Sequence, residues 1–124
     1  MTWWGKFIAP FTCGIAFNKF AGKKYKDAVK LLNRIIEIDP DGDRMEIIYS
    51  CLGRSYMALG EYDKALDEME KAYSLFKNQD GKKDEAYLKE NKEFLKAYSW
   101  LLYKKENNKL AKIIADKLLE LEVR

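Results

Sequence analysis

Between residues 52 and 76 the apolar and small side chains fall into two runs separated by a single glycine. Leu52, Gly53 and Tyr56 lie along one stripe. Beyond Gly60, the residues Tyr62, Ala65, Leu66, Met69, Ala72, Tyr73 and Phe76 recur at the 3.6-residue spacing that puts side chains on one face of an α-helix. Two helices packed against each other, with Gly60 at the bend, account for both runs. The same period runs through most of the chain. It predicts a first helix over about 10–21, with Pro10 in its first turn and Phe11, Ile15, Phe17 and Phe20 along it, ending at Ala21-Gly22. A second helix begins near Lys24, carries Tyr25, Ala28, Leu32, Ile35 and Ile36, and stops at Asp39-Pro40, because proline denies its predecessor the helical conformation. A third is predicted over about 44–59 and a fourth over about 62–77. Asn78-Gln79-Asp80-Gly81 reads as a turn. A long helix follows to Tyr103, with Tyr87, Leu88, Asn91, Phe94, Leu95, Tyr98, Leu101 and Leu102 as its apolar stripe. Its first turns, 82–92, are mostly charged and are expected to project into solvent or flank a partner. A last helix carries Leu110, Ile113, Ile114, Lys117, Leu118 and Leu121. No stretch alternates with period two, so the predicted class is all-α with no sheet.

Leu52-Gly53…Tyr56…Ala65…Met69…Ala72 resembles the tetratricopeptide repeat (TPR), in which helical pairs of about 34 residues carry a W-x₂-L-G-x₂-Y…A-x₃-F…P pattern. Tyr49 stands in the tryptophan place, Met69 in the phenylalanine place, and Lys77 where proline would close the repeat. This clear repeat spans about 45–78. A partial one, about 10–40, matches in its second helix through Tyr25, Ala28, Leu32 and the Ile38-Asp39-Pro40 exit. Its first helix fits through Cys13-Gly14 and Phe17 if two residues are inserted before Tyr25. A degenerate third, about 92–121, keeps Leu95, Tyr98, Ser99, Leu102, Ala111 and Ala115. The key alanines Ala28, Ala65 and Ala111 are 37 and then 46 residues apart, so the array is irregular. The resemblance implies a right-handed TPR-like superhelix of about six helices in three antiparallel hairpins. Residues 10–121 would form the hairpins of a single domain spanning 1–124, with 1–9 as an aromatic N-terminal extension. Three hairpins are the usual minimum, because one pair cannot bury both its faces.

In this family the first helix of each pair lines a concave groove. Carried over by matching position, the groove wall would be Asn18 and Lys19, then Ile47, Ser50, Arg54 and Met57, then Lys96, Trp100 and Tyr103. Arg54 can grip a carboxylate with two parallel hydrogen bonds, Lys96 adds a point charge and Trp100 a flat apolar contact, so an acidic or C-terminal peptide suits such a wall. Two alternatives stay open: Arg54 pairs with Glu46 or Asp43, and Trp100 packs between the last two helices. Family members that clamp chaperone tails carry Lys and Asn where this chain has Phe11 and Ile15, which argues against a chaperone co-factor.

Composition narrows function mainly by what is missing. The chain of 124 residues has no histidine, which removes the commonest general base and metal ligand. Its two cysteines, Cys13 and Cys51, sit inside apolar helical patterns and are expected to be buried, reduced thiols. Asp39, Asp41 and Asp43 imitate the opening of a calcium loop, yet Arg44 stands where the loop needs glycine and Ser50 where it needs a carboxylate. No nucleophile motif or phosphate-binding loop accompanies the other carboxylates, so neither catalysis nor a cofactor is expected. Lys23-Lys24-Tyr25-Lys26 mixes basic and aromatic residues, but Tyr25 holds a repeat core position, and nucleic-acid binding is not favoured.

Charge is unevenly spread: +5 over 1–38, −5 over 39–93 and +3 over 94–124. Such a distribution steers a charged protein partner, or simply solvates helix faces. Trp3, Trp4 and Phe7 form a candidate secondary interface that would cap the open end of the stack or dock on a membrane surface, the former being favoured. The start lacks the design of a secretory signal, and the 12 uncharged residues between Lys6 and Lys19 are too few to cross a bilayer, so a cytoplasmic protein is expected. The sequence thus predicts a non-catalytic protein-binding module. It leans to one dedicated partner, as for an immunity protein, an antitoxin or a small secretion chaperone, with a general peptide-binding adaptor as the alternative and a membrane-surface scaffold as a third. A second copy of the chain is a further candidate partner.

Overall fold

The computed structural model describes residues 3–77 and 85–122, and side chains of the first helix from residue 12 onward. Among the described residues six helices follow one another: α1 (Trp3–Ala21), α2 (Tyr25–Ile38), α3 (Met45–Ala58), α4 (Tyr62–Lys77), α5 (Glu85–Lys104) and α6 (Asn108–Glu122). No strand occurs among the described residues. The turn expected at 78–81 and the charged start of the fifth helix at 82–84 lie outside them.

The start of α1 differs from the sequence expectation. The helix reaches back to Trp3, so most of the segment expected as an extension has helical backbone. Proline's fixed φ is compatible with a helix, and an interior proline removes one hydrogen bond without dictating the end.

Each hairpin turns in the same way. Lys23, Gly60 and Glu106 hold φ of 61°, 81° and 64°, the left-handed region. In each case the left-handed residue donates its N–H three residues back, to Phe20, Met57 and Tyr103, and the next residue donates five back, to Lys19, Tyr56 and Leu102. This is the Schellman closure, which satisfies helix-end carbonyls that would otherwise be orphaned. Five residues beyond each left-handed position stands Ala28, Ala65 or Ala111, all buried. The three hairpins therefore share one register although their spacing is irregular.

That shared register corrects the reading of α1. Counting back from the turn without insertion, the position of Gly53 falls on Ala16, which is fully buried, whereas Gly14 is exposed and a Cβ there would meet nothing within 4 Å among the described residues. No two-residue insertion exists, because the turn in α1–α2 has the same hydrogen bonds as the other two. At Gly53 the helices approach closely: a Cβ would stand 2.7 Å from Met69 Cγ and 3.2 Å from the Ala65 carbonyl oxygen.

Packing divides the chain into two compact units, Met1–Ala72 and Tyr73–Arg124. In the first, α3 packs against both α1 and α2. Its core holds Ala16, Ala28, Leu32, Ile35, Ile48, Leu52, Ala65 and Met69. In the second, α5 packs against α6, and rings run along the core: Phe76 stacks on Phe94 at 5.1 Å, Phe94 on Tyr98 at 5.4 Å, and Tyr87 meets the edge of Phe76 at 5.6 Å. Tyr87 is buried despite the charged residues around it.

Candidate protein-binding surface

The three first helices of the hairpins were expected to supply one binding wall, and the structure treats their residues very differently. On α3, Ile47 and Ser50 are buried. Ser50 Oγ and, one turn earlier, Glu46 Oε1 are buried with no hydrogen-bond partner among the described residues. Met57 is half-buried. Arg54 turns to α1: its Cζ lies 4.7 Å from the centre of the Phe20 ring, and its Nη2 donates to Cys51 Sγ at 3.9 Å. A guanidinium over an aromatic face is attracted by the ring quadrupole, so this side chain is laid against its own protein. Asn18 is exposed and Lys19 half-buried. In the corrected register, Phe17 and Phe20 match Arg54 and Met57, so they replace Asn18 and Lys19 as the wall positions of α1, and the contact between Phe20 and Arg54 marks that face.

On α5 the same positions open outward. Lys96 is exposed, 3.6 Å from Glu93. Trp100 is 48% exposed and Tyr103 70% exposed, so Trp100 is not core between the last two helices. Lys104 Nζ sits 5.4 Å from the Trp100 ring centre. Below the two rings a groove of about 530 Å³ runs between α5 and α6, floored by Ser99, Ala111 and Ala115 and bordered by Asn108 and Lys112. Sequence reading took Ala111 and Ala115 only as small repeat positions. That their shortness leaves a groove follows from the packing of both helices.

A second recess, of about 290 Å³, lies where the end of α4 meets α5 and α6. Lys77 and Lys117 both lie over the Tyr73 ring there, at 5.4 and 5.6 Å, and Asn91 Oδ1 is buried with no hydrogen-bond partner among the described residues.

The cysteines are both free thiols, Cys51 buried and Cys13 half-buried. Burial, and secondarily the charge of Asp39, pushes the Cys13 thiol above its ordinary range. Asp39 itself belongs to the loop between α2 and α3, where its carbonyl accepts the Gly42 N–H at 3.2 Å. Among the described residues no three His, Cys, Asp or Glu side chains cluster as metal ligands, and no helix is long and apolar enough to cross a membrane. Trp3, Trp4 and Phe7 belong to α1 by backbone, and their side chains lie outside the described residues.

Residues 47–79 match the family model of the tetratricopeptide repeat. The chain carries a tetratricopeptide repeat, and its all-α hairpin architecture is TPR-like. The fold is that of protein-interaction modules. Among solved structures, a point mutant of MamA is similar with a TM-score of 0.67 and 20% identity, over 91% of this chain and 72% of that one. MamA MSR-1 C2 gives a TM-score of 0.67 and 21% identity, over 94% of this chain and 58% of that one. A crystal structure from Podosopora anserina, described as a kinesin light chain with nearly identical TPR-like repeats, gives 0.61 and 15% identity, over 92% of this chain and 54% of that one. At these identities the likeness is one of fold, and the chain spans little more than half the length of the last two. No curated protein matches it in sequence.

Proposed function

We propose that this chain is a non-catalytic module that binds another protein, and that the outward face of α5 carries the contact. The observation behind this reading is the exposure of Trp100 and Tyr103 above an apolar groove, in contrast to α3, where Ile47 and Ser50 are buried and Arg54 lies on Phe20. Large aromatic side chains are the usual anchors of protein interfaces, since they bury much area for few frozen torsions. Such an anchor favours one lasting partner, of the kind an immunity protein, an antitoxin or a small secretion chaperone has. It does not favour an adaptor that reads charged tails through Arg54.

The test is affinity capture from native extract with the wild type and with Trp100→Ala/Tyr103→Ala, washed at low and then high salt. One stoichiometric partner that survives high salt and is lost with the double variant is the expected result. Several partners that leave as salt rises, and that depend on Arg54 and not on Trp100, would replace this reading with the adaptor.

A further inference from the structure

The internal repeat states what kind of object fits the α5–α6 groove. Its floor and walls correspond, at a constant offset set by the left-handed turn residues, to the surface of α1–α2. Ser99 takes the place of Ala16, Trp100 of Phe17, Tyr103 of Phe20, Ala111 of Ala28 and Ala115 of Leu32. On α1–α2 that surface is covered by a helix: α3 packs on both helices, Arg54 crosses Phe20, and Tyr56 Oη accepts from Asn33 Nδ2 at 3.3 Å. On α5–α6, among the described residues, nothing in the second unit covers it, and Tyr103 stands open where Phe20 is crossed. The exchange of Leu32 for Ala115 removes a side chain from the floor, which leaves room for a large apolar residue to enter from outside.

Charge selects among helices. The hairpin α1–α2 is basic, +5 over residues 1–38, and the loop that leads into its covering helix holds Asp39, Asp41 and Asp43 ahead of Arg44, the residue before α3. Residues 94–124 are basic again, net +3, with Lys112 at the edge of the groove, 3.2 Å from Asp116, and Lys104 over Trp100.

We propose that the α5–α6 groove is the docking site for an amphipathic helix of another protein, one that seats a large apolar side chain over Ala115 and carries acidic residues on its flanks. The proposal rests on the protein-binding reading above and adds to it the conformation and charge of what is bound.

The test uses the full chain with Trp3→Phe and Trp4→Phe, so that Trp100 is its one remaining tryptophan. Two synthetic helical peptides share a Leu/Phe stripe, and one bears Glu flanks, the other Lys flanks. Titration followed by Trp100 emission should give saturable binding of the Glu peptide, at least about tenfold tighter than the Lys peptide, with the gap shrinking as salt rises. Ala115→Leu restores the side chain present at Leu32 and should abolish binding while leaving the melting temperature unchanged or higher. Equal binding of the two peptides, binding of neither, or undiminished binding to Ala115→Leu overturns the proposal. So does concentration-dependent self-association in sedimentation equilibrium that Ala115→Leu removes, since the occupant would then be a second copy. If partner capture depends on Trp100 while these titrations fail, the protein-binding reading stands and only the helix is lost; if capture is indifferent to Trp100, the earlier reading falls first.

Discussion

Two glycines one to three turns from a hairpin bend look alike in sequence and differ in what surrounds them. Gly53→Ala forces a Cβ against the Met69 side chain and the Ala65 carbonyl, and should cost about 1–3 kcal/mol in chemical denaturation. Gly14→Ala meets open space on an exposed helix face and should stabilise by about 0.5–1 kcal/mol. The opposite pair of signs would restore the inserted register. Cys13 offers a readout of another kind. Its thiol keeps its proton in the folded protein to higher pH than in the unfolded chain, so the folded state binds more protons through that window, and stability falls as pH rises through it. Alkylation of Cys13 should accordingly show a pH midpoint above that of a free thiol. Asp39→Asn should lower that midpoint only partway, since burial is the larger cause. Residue identity was legible at Gly53, where the repeat signature surrounds it, and not at Ala16, because an alanine among apolar neighbours carries no mark of which face it occupies.

Elements were legible wherever a stop signal bounded an apolar stripe. Gly60 and the Asp39-Pro40 pair placed the ends of α3 and α2 to within a residue, since both act on φ and ψ directly. The α1 start was not legible, because the penalty of an interior proline competes with the cooperativity of a helix already running. The three turns also carry a test of equivalence. Lys23 and Glu106 occupy the left-handed conformation that Gly60 adopts without a Cβ penalty. Lys23→Gly and Glu106→Gly should each stabilise by about 0.5–1 kcal/mol, the relief of left-handed strain less the added chain entropy of glycine, as measured by thermal or urea unfolding. The loss of stability in either variant would mean that the turns are not equivalent.

At the scale of the whole molecule, three copies of one hairpin are distributed over two compact units, and equivalent positions need not be equally buried. Ala65→Arg places a cation where Gly53 and Met69 leave no space, and should cost about 4 kcal/mol or more, enough to unfold the protein in circular dichroism. Ala111→Arg sits beside the α5–α6 groove, through which the long side chain can reach water, and should cost only about 1–2 kcal/mol. The sequence by itself determined the all-α class, the ends of α2 and α3 and the repeat in the middle, because these depend on periodicity, on proline and glycine, and on local backbone conformation. Tertiary structure alone decided which of the equivalent first-helix residues meet solvent. Burial depends on what packs against a face: the same stripe that is covered on α1 by Arg54 of α3 stands open on α5 as Trp100 and Tyr103, and no local pattern records that a neighbour is there or absent.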